Sequence, residues 1–234
     1  MQVHESPSWL TVEEFGLMFR DIYHDLNNLR YDNSTLLLRL FEQCSKMHEV
    51  VRKDYRDQFA SQLADIYSFL NGVANRFNIN LQEALWLKYP GICTYCLQKS
   101  DCECGMEHDE KAPKITESER LLIIKQAQQD RVDEPKNLAD HQQLHYKLYF
   151  WKVKVSDPSK LADHITEEAG EVSRECRHGR LERGAEEMAD VISWIFALSN
   201  RLKINLSDEI WKFYPYKCRD CYSCPCICRK EKNS

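Results

Sequence analysis

The sequence predicts an all-α fold, and three observations carry that prediction. Gly and Pro are scarce, seven of each in 234 residues, where roughly 7% and 5% are usual. The stretches between them are rich in Leu, Ala, Glu, Lys and Gln, which enter helices at little cost, and no convincing apolar–polar alternation marks a strand. Finally, the chain contains itself twice. With an offset of 125, residues 36–96 lie over 161–221 without a gap, and 17 of those 61 positions are identical. Asn75-Arg76 falls on Asn200-Arg201, Trp86 on Trp211, Tyr89-Pro90 on Tyr214-Pro215, and Cys93 and Cys96 on Cys218 and Cys221. A repeat this long is a duplicated domain rather than a solenoid unit.

The elements follow in order. Thr11-Val-Glu-Glu14 has the capping-box pattern and opens a helix to about Leu29. Asp32-Asn33-Ser34 restarts a helix that runs to about Lys53. From Asp57 to about Phe77, Leu63, Ile66, Leu70 and Val73 recur at helical spacing. A short helix from Leu81 to Lys88 is stopped by Pro90. The charged stretch from Gly105 to Ile115, with Pro113, reads as a linker, and an extra helix spans Glu117 to about Arg131. Copy two then repeats the layout, with helices over about 138–153, 160–177, 181–202 and 206–213. This gives three segments: a first module over 1–104, a linker with its extra helix over 105–134, and a second module over 135–234.

Composition excludes several functions. A net charge of −5 does not suit a surface that tracks nucleic-acid phosphates. The longest apolar stretch, Val191 to Leu198, is far too short to span a bilayer. The polar opening segment with Pro7 does not read as a secretory leader. A cytoplasmic protein is expected, bound neither to membrane nor to nucleic acid. Its eleven cysteines then read as metal ligands rather than disulfides.

The two copies differ in their acids. Copy two carries Glu167, Glu168 and Glu171, then Glu187 and Asp190. Copy one has Gln43, Lys46 and Gln62 where Glu168, Glu171 and Glu187 stand, and keeps only Asp65 for Asp190. Glu168 and Glu171 are three apart on one helix, as are Glu187 and Asp190 on the next, so each pair shares a face. Two antiparallel helices can aim four carboxylates at one point, where they repel. A hard divalent cation relieves that repulsion, and carboxylate oxygen suits Mg²⁺. The chemistry implied is metal-assisted hydrolysis of a phosphoanhydride. The strongly apolar residues after Asp190 bury that helix, which argues against a solvated acidic face, and Ala169-Gly170 would let helices approach closely.

The pattern Glu167-Glu168-Ala-Gly-Glu171-Val, then Glu187-Met-Ala-Asp190-Val, resembles the EExxE…ExxD signature of the MazG-like all-α nucleotide pyrophosphohydrolases. The likeness covers about 160–214, with 36–90 as a degenerate copy. It implies a four-helix bundle of two modules and Mg²⁺-dependent hydrolysis of nucleoside triphosphates, often non-canonical or deoxy ones, to monophosphate and pyrophosphate. It makes Glu168, Glu171, Glu187 and Asp190 metal ligands and Glu167 an auxiliary carboxylate that orients the attacking water. It places Arg201 and Lys203 near phosphates. Trp194, one turn beyond Asp190, and Trp151 would stack on a base or pack in the core. Family members often carry a lysine at the slot of Lys88, whereas Lys212 of copy two stands one place early. Single-module relatives dimerise by resemblance, so a homo-oligomer, a dimer, is expected, with the copies packing on each other or on a second chain.

Cys93, Cys96, Cys102 and Cys104 form one thiolate set, and Cys218, Cys221, Cys224, Cys226 and Cys228 a second. Each can fill a tetrahedral Zn²⁺ site, about two structural zincs in all, although the spacing of the second also suits an iron–sulfur cluster. Cys44 and Cys176 lie in helices and read as core, and His141 and His145 read as ordinary polar or core positions. The competing reading of the whole chain is a non-catalytic nucleotide- or metal-binding interaction protein on the same fold.

Overall fold

The computed structural model describes residues 9–104 and 115–228. Most of the expected linker and the opening and closing segments lie outside the described residues. Copy one supplies α1 (Val12–Arg30), α2 (Asn33–Arg52), α3 (Phe59–Phe77) and the short α4 (Leu81–Lys88). A 3₁₀ turn over Arg56–Gln58 leads into α3. The unduplicated α5 (Glu117–Asp130) follows. Copy two supplies α6 (Leu138–Val155), α7 (Pro158–Arg177), α8 (Leu181–Leu202) and the short α9 (Leu206–Phe213). The described residues contain helices and no strand. No helix among them is long and apolar enough to cross a membrane.

The caps explain the boundaries. Thr11 and Glu14 close the expected capping box on α1, and Asp32 accepts from the Thr35 N–H to start α2. The two copies hold the turn after the long third helix in the same way. Asn78 and Lys203 end α3 and α8 in the left-handed region, at φ 54° and 59°. Ile79 N–H then returns to Ala74 O and Ile204 N–H to Ser199 O. Asn80 and Asn205 cap α4 and α9. Three residues before each left-handed cap, Asn75 Nδ2 donates to Gly16 O and Asn200 Nδ2 to Gln142 O, tying third helix to first.

The core of the bundle is α2, α3, α7 and α8. Helix α2 packs on α3 and on α7, α7 on α8, and α3 on α8. The apolar faces expected from the sequence meet here. Ile66, Leu70 and Val73 of copy one are fully buried, as are Val191, Ile195, Phe196 and Leu198 of copy two. Each such side chain contributes roughly 1.5–3 kcal/mol relative to exposure. One expectation fails. Gly170 faces open space, since an added Cβ would meet nothing within 4 Å, so it does not bring helices together. The close approach of α7 and α8 lies at Gly184, where a Cβ would sit 3.1 Å from Cys176 Sγ.

The copies exchange their ends. Helix α4 of copy one packs on α8 of copy two, and α9 of copy two packs on α3 of copy one. The cysteine knuckles cross over as well. Asp101 and Cys102 donate backbone N–H groups to Lys147 O and Leu148 O, where α6 kinks at Tyr149. Cys226 N–H donates to Ile22 O of α1, at 2.7 Å. Helix α5 is tied over α4 by Trp86 Nε1 to Gln128 O and by the Arg131–Glu83 ion pair.

Cys44 and Cys176 are core residues, as expected. Of the two readings open for His141 and His145 the structure takes the core one: each is 5% exposed, and His141 Nε2 and both ring nitrogens of His145 find no partner among the described residues.

Removing copy one would uncover the face of α7 that meets α2 and the face of α8 that meets α4. A 132–234 fragment should therefore aggregate or associate with itself. Sedimentation showing a stable, fully active monomer would contradict the exchanged architecture.

Burial holds His141 down to about 4 and His145 down to about 3. Because these folded values lie below the usual one near 6.5, the stabilisation is complete above about pH 6.5 and drains as pH falls. Glu175, held down to about 2 by Arg180 and Arg174, adds a loss below about pH 4.5 by the same sign. Thermal melts should show Tm falling from pH 6.5 to 3, with a shallower slope in His145→Phe. An unchanged Tm over that range would refute neutral burial.

Candidate active site

Helices α7 and α8 bring the expected carboxylates together. One carboxylate oxygen each from Glu168, Glu171 and Glu187 lies within 4.8 Å of the others. The consequence is visible in their acidities. Burial pushes the Glu187 carboxyl up to about 7, Asp190 adds to the rise, and Lys88 opposes it. Burial also raises Glu168, again with help from Asp190. Three hard oxygen donors side by side suit a divalent cation such as Mg²⁺. Glu171 is half-exposed and paired with Arg174 at 3.0 Å.

Asp190 stands slightly apart from that trio, and the reason is copy one. Tyr89 donates its hydroxyl to Asp190 Oδ1 at 2.5 Å, and Lys88 Nζ lies 3.0 Å from Oδ2. Burial works against the Lys88 ammonium, but Asp190 and Glu187 hold its pKa above the ordinary lysine value. Both residues sit at the C-terminal end of α4, which copy one lends to α8. The repeat contained a signal for Tyr89, since Tyr-Pro recurs in both copies. For Lys88 the comparison within each copy misled, because the lysine serves the other copy's acids.

The remaining expected residues fall in three places. Trp194 is at the site: its Nε1 donates to Glu168 Oε1 at 3.2 Å. Its ring stacks on His164 with centroids 4.2 Å apart. His164 in turn holds the exposed Glu167 at 3.2 Å. Arg201 lies elsewhere, donating Nε to Ser156 O, and its counterpart Arg76 donates to Tyr31 O. Both copies thus use this arginine to hold the link between first and second helices. Lys203 is the exposed left-handed cap of α8. Trp151 packs on Phe150 and beneath Lys154 on α6.

The cysteines form two four-membered groups. Cys93, Cys96, Cys102 and Cys104 offer sulfurs within 4.8 Å of one another, and so do Cys218, Cys221, Cys226 and Cys228. Separations run from 3.3 Å for Cys102–Cys93 to 4.0 Å for Cys93–Cys104. In the second group Cys218–Cys228 and Cys221–Cys226 are both 3.7 Å. All are free thiols. A tetrahedron with metal–sulfur bonds of about 2.3 Å has edges of about 3.8 Å, so either group could hold one ion. Cys224 stands outside the second group and is exposed. The two knuckles share their backbone. Cys93 N–H bonds Gln98 O and Cys218 N–H bonds Ser223 O, with Leu97 and Tyr222 left-handed at the same place.

No curated protein and no solved structure matches the chain. Residues 156–213 do match the family model for the MazG nucleotide pyrophosphohydrolase domain, a span that holds every carboxylate of the site. What the chain shares with the MazG nucleotide pyrophosphohydrolase domain thus lies within its second helical module.

Proposed function

We propose that the chain is a Mg²⁺-dependent pyrophosphohydrolase that converts a nucleoside triphosphate, ribo or deoxy, to its monophosphate and pyrophosphate. The observation that carries this reading is the convergence of Glu168, Glu171 and Glu187, with Asp190 beside them and the Lys88 ammonium facing them. Glu168, Glu171, Glu187 and Asp190 would hold Mg²⁺, which supplies charge neutralisation on the phosphates and a more acidic water.

The chain's own groups do the rest. Tyr89 fixes one oxygen of Asp190 and leaves the other toward Lys88. Lys88 offers a positive charge where negative charge accumulates as the anhydride bond to the departing pyrophosphate breaks. Glu167, steadied by His164, orients the water whose oxygen attacks the α-phosphorus. Trp194, backed by His164, presents a ring to a base while its N–H holds Glu168. Because copy one lends Lys88 and Tyr89, the site is complete within one chain and needs no second copy for these residues. The cysteine groups are read as two structural Zn²⁺ sites. The four sulfurs of the second group all lie within 4.8 Å of one another, which favours one ion over an iron–sulfur cluster.

Glu171→Gln should abolish Mg²⁺-dependent pyrophosphate release across a panel of NTPs and dNTPs while leaving the helical circular dichroism intact. Lys88→Met should lower kcat roughly 10²-fold, as loss of one preorganised charge does. Glu42→Gln, at an exposed position paired with Arg39, should change little. Turnover surviving in Glu171→Gln would sink the assignment, and a large loss in Glu42→Gln would move catalysis toward copy one.

Elemental analysis of the purified chain should find about two zinc ions, one per cysteine group. Cys224→Ser should keep both, whereas Cys226→Ser should lose one. Iron with visible absorbance would replace the zinc reading of the tail.

A further inference from the structure

The degenerate site of copy one has not closed up. Where copy two gathers its acids, copy one keeps a cavity of about 360 Å³ between its helices and knuckle two. Four of its lining residues are the duplicates of site residues: Gln43 for Glu168, Lys46 for Glu171, Asp65 for Asp190 and Phe69 for Trp194. The aromatic wall is retained while three of the four carboxylates are replaced. Gln62, the duplicate of Glu187, is buried and donates to the Gln43 side chain.

The cavity is lined by both cations and acids, beside the thiols of knuckle two, where the acidic site gathers carboxylates. Asp65 accepts from Tyr214 at 2.5 Å and from Arg219 at 2.7 Å, so its negative charge is compensated. Arg219 thus takes, across the copies, the place that Lys88 takes at Asp190. Lys46 makes no hydrogen bond or ion pair among the described residues. Arg30 lines the same cavity and spends one N–H on Cys228 O, at 2.6 Å, leaving other donors. Asp220 at the wall is the remaining acid.

We propose that this cavity is a second nucleotide site, which binds a nucleoside monophosphate without a divalent metal and does not hydrolyse it. The base would stack on Phe69 and the phosphate would meet Lys46 and Arg30. Charge decides between the nucleotide classes. Lys46 and the free donors of Arg30 can meet one phosphate, whereas a triphosphate carries about four negative charges and would need a metal that Gln43 and Lys46 cannot hold. Size agrees, since a cavity near the lower end of the usual 300–1,000 Å³ range suits a small ligand. Knuckle two forms part of the wall, so occupancy would also brace the cysteine group.

Calorimetry in divalent-free buffer isolates this site, because without metal the acidic site repels phosphate. A panel of ribo- and deoxynucleoside monophosphates should include at least one that binds once per chain. Lys46→Glu and Phe69→Leu should each weaken it by about tenfold or more, while Glu171→Gln leaves it unchanged. The proposal is overturned if no monophosphate binds without Mg²⁺. It is also overturned if inorganic phosphate binds as tightly as every nucleotide, or if the binding disappears in Glu171→Gln and persists in Lys46→Glu. Loss of catalysis in the acidic site does not alter this readout, so the two readings fail separately.

Discussion

The structure depends on one reciprocal hydrogen bond. Tyr89 of the first copy donates to Asp190 of the second, and Tyr214 of the second donates to Asp65 of the first, both at 2.5 Å. Each tyrosine is deeply buried and raised far above its ordinary pKa, first by desolvation and then by the aspartate's charge. A buried phenol and a half-buried carboxylate are costly apart and satisfied together. That pairing fixes where each short helix lies: on the third helix of the partner copy as well as against its own first helix. The crossing of α4 onto α8 and of α9 onto α3 follows, and so does the docking of each knuckle on the other copy's first helix.

The exchange explains why a copy without its acids is retained in the architecture. Copy one cannot assemble three carboxylates, yet it supplies the cation and the phenol that face Asp190. It also supplies α2, against which α7 is buried. The two copies therefore divide the acidic site between them: one carries the carboxylates and the other the lysine and tyrosine beside Asp190. At the mirror position the same bond persists around Asp65, but the cation there is Arg219, and Lys46 stands where a donor carboxylate would be. The two pockets share a scaffold and differ in the groups that line them.

The acidic site is electrostatically unfinished as it stands. Glu187 held near 7 and Glu168 raised mean that the carboxylates resist ionising together. Lys88 offsets part of that repulsion and a divalent cation would offset the rest. The same residues would also lose donor capacity to protonation, so the site's affinity for a cation is tied to pH by its own crowding.

The sequence by itself determined the helices, since the caps at Thr11, Asp32, Asn80 and Asn205 and the apolar spacing along α3 and α8 act within a few residues. It also determined the acidic positions and the cysteine groups, because i,i+3 and CxxC spacings fix geometry locally. Tertiary structure decided what those local rules do not reach. It assigned Lys88 and Tyr89 to the acids of the other copy, some hundred residues away in sequence. It tied Arg201 to the Ser156 carbonyl and left Gly170 facing open space, with the close helix contact at Gly184. It left Cys224 outside its group. Each of these turns on which surfaces meet, and that is set by the exchange of ends between two near-equivalent copies, for which a pattern read along one copy carries no signal.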